Sequence, residues 1–165
     1  MGEEVNMRSI LNSPLEHAIR VLMILVEVFP EKLDLNRLVL FDHSLLHSSD
    51  FGGPDSLHPP VPIRVGELGV KRQLIQDGLE VLIRAGLAHI ESRTSGLYFG
   101  ASESAEGFAG LLETQYAHDL SERASWVVEY FKDMDEESMR ESVQKALGHW
   151  SEELENVQLQ EDRNI

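Results

Sequence analysis

The chain has no cysteine among its 165 residues. Disulfides, thiol nucleophiles and thiolate metal sites are thereby excluded, and any metal chemistry would rest on histidine and carboxylate alone. Positive charge is scarce, with 14 Lys and Arg against 29 Asp and Glu and a formal net charge of −15. The imbalance is uneven: residues 1–100 hold 13 acids and 9 bases, whereas residues 101–165 hold 16 acids and 5 bases. Such a field repels phosphate backbones at long range and disfavours stand-alone nucleic-acid binding. Two readings of the acidic half stay open, a basic protein partner or a solvated helical surface. Long hydrophobic runs are also lacking. The longest, Val21 to Phe29, is broken by Glu27 and is too short to span a bilayer. The opening Met1 to Arg8 lacks the basic start and apolar core of a signal peptide, so a cytoplasmic location without membrane contact is expected.

Catalytic signatures are absent as well. There is no Gly-x-Ser-x-Gly elbow and no phosphate-cradling Gly-x-x-x-x-Gly-Lys-Ser/Thr loop, and Gly66-Glu67-Leu68-Gly69 lacks the preceding strand of a Rossmann fingerprint. Neither a catalytic residue nor a cofactor is expected, and a binding role follows in preference to an enzyme.

What the chain does have is a concentrated loop. Asp42 to Pro62 holds four of the six prolines, Pro54, Pro59, Pro60 and Pro62, together with Gly52, Gly53 and three histidines. A compact domain rarely spends so many residues on an irregular connection unless it is functional or disordered. Leu45, Leu46, Phe51, Leu57, Val61 and Ile63 argue against disorder, and the prolines stiffen the backbone. An ordered loop over about residues 47–63 is therefore expected.

Around it the pattern is helical. Ser13, Pro14 and Glu16 form a capping box for a first helix that is apolar on nearly every face up to Phe29, with Pro30 as its stop. Asp34 can cap a second helix carrying Leu35, Leu38, Val39, Leu45 and Leu46. A third is expected from about Gly66 to Arg84, with Gly78 as a weak point and Gly86 as a left-handed terminator. Residues 87–91 then alternate as a strand, Thr94-Ser95-Gly96 reads as a turn, and Leu97-Tyr98-Phe99 returns. The expected fold is mainly α: a winged-helix-like core of three helices plus a β-hairpin over residues 1–100, with an acidic helical extension over 101–165. In the extension Tyr116, Leu120, Ala124, Val127, Val128 and Phe131 form one stripe. Met139, Val143, Ala146, Leu147, Trp150 and Leu154 form another, begun by the N-cap Asp135. These stripes would pack on the core or on a partner, with Trp126 and Trp150 as core residues.

A winged helix raises the question of DNA. Arg64, Lys71, Arg72, Arg84 and Arg93 are offset by Glu67, Asp77, Glu80 and Glu91 over the same segment, a thin surplus for binding phosphates. A DNA-binding transcriptional regulator remains the alternative function, with Arg64, Lys71, Arg72 and Arg93 as candidate contacts. His43 and His47, one helical turn apart and near Asp42, Asp50 and His58, could face a metal. No His-Glu-x-x-His pattern supports that, and the favoured reading is that His47 and His58 hydrogen-bond the loop backbone, with no metal site.

Several strings together carry a family likeness. These are Asn12-Ser13-Pro14-Leu15-Glu16, Leu33 to Leu40, Asp42 to Asp50 with Gly52-Gly53-Pro54, Ser56-Leu57-His58-Pro59, and Arg64-x-Gly66-Glu67. To them are added Lys71-Arg72, Gly78-Leu79 to Gly86-Leu87, Trp126 to Glu129, and Trp150. Over about residues 12–155 the sequence resembles the middle component of bacterial ABC-three-component systems. The resemblance implies a non-catalytic adaptor of a Lamassu-like anti-phage defence complex, a hetero-oligomer. In it the chain would join an SMC-like ABC ATPase to an effector such as a nuclease, and would meet DNA only indirectly. It also implies partner-contact or loop-holding roles, with fold maintenance as the alternative, at His43, His47, Asp50, Phe51, Gly52, Gly53, Pro54, Ser56, Leu57, His58 and Pro59, and at Arg64, Glu67 and Arg72.

Overall fold

The computed structural model describes residues 13–58 and 67–147. Helix α1 spans Pro14–Val28, its start set as the sequence predicts: the Glu16 amide donates to the Ser13 hydroxyl at 3.3 Å. Its burial is broad. Glu16, His17 and Ala18, and then every residue from Arg20 to Leu25, are buried.

A two-residue strand β1, Leu33–Asp34, follows, and it had no sequence signature of its own. Asp34 then caps α2, Leu35–Leu46, by accepting the Arg37 amide at 2.8 Å. A 3-10 turn at Ser48–Phe51 begins the loop. The helix ends at Leu46, where the apolar stripe of Leu35, Leu38, Val39, Leu45 and Leu46 ends in the sequence.

Helix α3 spans Glu67–Arg84, and Gly86 terminates it at φ 74°. Gly78 is more than a propensity defect. A Cβ there would lie 2.8 Å from the Ala18 backbone nitrogen, so glycine is what lets the α1 and α3 backbones touch.

Strands β2, Ala88–Arg93, and β3, Gly96–Ala101, form the expected hairpin. β1 adds to its other side, giving an antiparallel sheet of order β1-β3-β2 with Leu33 and Ile90 both opposite Phe99. Helix, strand, two helices and a hairpin make a mainly α, winged-helix-like core.

The chain continues through a short α4, Ala105–Ala109, to α5, Gln115–Phe131, and α6, Glu136–Leu147. Thr114 caps α5 through the Ala117 amide at 3.2 Å, and Asp135 caps α6 through the Ser138 amide at 2.7 Å. The predicted α5 stripe is real: Leu120, Ala124, Val127 and Phe131 are buried in the same apolar cluster as Val21, Leu22, Leu38 and Leu45. Phe131 stacks on Phe41 of α2 at 5.3 Å. Trp150 and Leu154 lie outside the described residues.

Candidate functional site

Beneath the loop, three helices of the core meet at one carboxylate. Asp42 of α2 has 0% of its surface exposed. Arg20 of α1 donates through Nε to Oδ1 at 2.7 Å and through Nη2 to Oδ2 at 3.2 Å, and Lys71 of α3 also reaches Oδ2, at 2.9 Å. Burial alone would raise the Asp42 pKa, but the two cations outweigh it and hold the carboxyl well below the usual range. Glu16 lies 3.6 Å from Arg20, so two cations face two carboxylates.

Histidines surround this group. Burial, reinforced by the Lys71 charge, pushes His43 down to about 3 and lowers His47. Burial and Arg20 lower His17 and take His58 down to about 4. At neutral pH all four are uncharged imidazoles. The His43 and His47 rings lie 4.7 Å apart, and among the described residues no group of three His, Asp or Glu could hold a metal ion.

The loop is ordered over its described part, residues 47–58, and turns much of itself inward. Its backbone is tied by the Leu57 and His58 amides donating to the Leu46 carbonyl at 3.0 and 3.2 Å. The Ser48 hydroxyl donates to the Pro54 carbonyl at 2.8 Å, a job the sequence reading assigned to histidine. His58 instead pairs with the Tyr116 hydroxyl of α5 at 2.9 Å. Phe51 sets its ring edge-on to Tyr130 and Phe131 of α5, at 5.9 and 6.1 Å. Gly53 lies under Trp126, where a Cβ would come within 2.3 Å of the indole, and Arg123 donates to the Asp55 carbonyl at 3.1 Å.

The residues named as partner contacts therefore divide. His43 is buried, and Phe51, Gly53, Leu57 and His58 are half-buried, the first two and His58 against α5. Asp50 and Gly52 are exposed, while His47, Pro54 and Ser56 are partly so. Pro59 and Arg64 lie outside the described residues, as does the Glu67 side chain. Arg72 is exposed on α3 and donates to Asn36 of α2.

The bases named as nucleic-acid contacts are largely spoken for. Lys71 points inward to Asp42, and Arg93 pairs with Glu91 at 2.6 Å while lying over the Tyr98 ring at 4.3 Å. Lys32 also meets Glu91, at 3.2 Å, and Arg84 meets Glu80 at 2.5 Å. Each pairing removes positive charge from the α3 and hairpin surface that would meet a phosphate. The Arg20-Asp42-Lys71 group escaped sequence reasoning because its members come from three helices and share no local spacing.

A family model described as ABC-three component (ABC-3C) system Middle Component 2 matches residues 10–153. Searches of curated proteins and of solved structures find no match. No described helix is long and apolar enough to cross a membrane.

Proposed function

The chain belongs to the Middle Component 2 family of ABC-three-component systems, and from that premise we propose that it is a non-catalytic adaptor joining the other two components. The family match over residues 10–153 is the observation that carries this reading. Three features of the molecule agree with it. The buried polar group is closed on itself by ion pairs and neutral imidazoles. Of the α3 and hairpin bases, Lys71, Arg84 and Arg93 are engaged by acids of the same chain and Arg72 by Asn36, which suits protein docking better than a phosphate backbone. The exposed face of the loop, Ser49, Asp50, Gly52 and Asp55, is rigidly backed by α5 and so preorganised for a partner.

At finer detail, the partners are an SMC-like ABC ATPase and an effector nuclease of a Lamassu-like anti-phage system, in the cytoplasm. The winged-helix-like core would dock on the ATPase. The test is a tagged chain co-expressed with the two proteins encoded beside it. Both should be retained on the tag at a fixed ratio, and a chain that elutes without either would overturn the proposal.

A further inference from the structure

Four positions of the loop meet α5 in strict reverse order. Phe51 lies against Tyr130, Gly53 lies under Trp126, the Asp55 carbonyl accepts from Arg123, and His58 pairs with Tyr116. At 3.6 residues per turn those four α5 positions fall within about 80° of one another and span about 21 Å of helix. The loop is therefore a strap laid antiparallel along one face of α5.

Its two ends are held by different chemistry. At the first, Phe51 is seated by the Tyr130 and Phe131 rings. At the second, the side-chain hold on α5 is the His58–Tyr116 pair, 2.9 Å apart with the rings stacked at 6.3 Å. The same end carries Ser56, whose hydroxyl accepts the Ser49 amide at 3.2 Å and so holds the start of the exposed face of the loop.

The Tyr116 hydroxyl has a second partner. It hydrogen-bonds the Glu16 carboxylate of α1, and burial together with that carboxylate raises the Tyr116 pKa, so the phenol keeps its proton. Glu16 lies 3.6 Å from Arg20, and a carboxylate held against a guanidinium only accepts. A tyrosine hydroxyl has one proton to give. That proton goes to Glu16, so His58 is the donor in the other bond. As a neutral imidazole it then carries its own proton on Nε2.

We infer that Tyr116 is a latch: it accepts from His58 Nε2–H, donates to Glu16, and by these two bonds ties the end of the strap to the buried ion pairs, positioning Ser49, Asp50 and Asp55 for a partner. Its docking role rests on the adaptor reading, whereas the bond directions do not.

The test starts with the free chain. Nitrogen-15 NMR of the imidazoles should show His58 protonated on Nε2, with that proton exchanging slowly enough to be observed. Tyr116→Phe keeps the ring and removes only the hydroxyl. In it the Nε2 proton signal should vanish into water, and the Leu57 and His58 amides, which donate to the Leu46 carbonyl, should exchange about fivefold faster. The Gly52 and Gly53 amides, at the other end, should exchange as in the parent. His58→Gln, whose side-chain amide can donate to the same oxygen, should keep the parent rates, and His58→Leu should match Tyr116→Phe. A His58 protonated on Nδ1, an Nε2 proton equally visible in Tyr116→Phe, or a strap that loosens evenly along its length would overturn the latch. In the co-expressed complex, a tagged Tyr116→Phe chain should retain severalfold less of the other components, and full retention would overturn the docking role. If the unsubstituted chain retains no partner the adaptor reading fails, and the imidazole spectrum still decides the latch.

Discussion

Asp42 shows how one side chain can decide whether three helices stay in place. With Asp42 removed, Arg20 keeps its charge in a site only 2% exposed, whereas Lys71 is partly open and can swing its ammonium to water. Asp42→Asn should therefore cost about 3 to 5 kcal/mol, mainly through Arg20. A fall of roughly 10 °C in Tm by calorimetry would register it. The triple change Arg20→Met, Asp42→Leu and Glu16→Gln should recover much of the loss, since no buried charge is then stranded and Lys71 can reach water. Gly78 sets two effects against each other. Helix propensity alone predicts that Gly78→Ala stabilises by about 1 kcal/mol. The 2.8 Å approach to the Ala18 backbone has no side chain to yield, so the clash wins and urea unfolding should show a net loss of about 1 to 3 kcal/mol. From sequence, Gly78 registered only as a helix weakness, because its neighbour lies 60 positions away on α1.

Elements with a strong local signal were legible before the structure was known. Ser13, Asp34, Asp135 and Gly86 announced their helix ends because capping is a contact among residues three or four apart, and the hairpin followed from its change of period and its Thr94-Ser95-Gly96 turn. β1 and α4 carried no such signal. Two residues cannot display alternation, and five cannot display a helical stripe. The loop was legible as ordered and apolar, but its target was not, since Phe51 meets Tyr130 and Gly53 meets Trp126 across more than 70 residues. The loop is thus a clasp between the winged-helix-like core and α5 as well as a candidate docking face. Gly53→Ala should push the Trp126 indole aside, shifting tryptophan fluorescence to the red and raising amide exchange in α5. Asp50→Ala, on the exposed side, should leave both unchanged.

At the scale of the whole molecule, the neutral histidines make stability depend on pH in a defined window. His43 and His58 titrate near 6.5 when unfolded but at about 3 and about 4 when folded. Below pH 6.5 the unfolded chain therefore binds protons that the folded chain refuses, and stability falls as pH drops from 6.5 toward 4. Between pH 7.5 and 5 the loss should be on the order of 1 to 2 kcal/mol for each histidine, read as a falling urea midpoint, with His58→Gln removing part of the slope. The net charge of −15 works in the same molecule toward a different end, repelling phosphate backbones at long range. Whether the chain joins two other proteins is tested most directly by leaving it out. The ATPase and effector proposed as its partners would be co-expressed with and without this chain, and their masses recorded by native mass spectrometry. The account predicts a species containing both proteins only when the chain is present, and an equally abundant ATPase-effector species in its absence would contradict it.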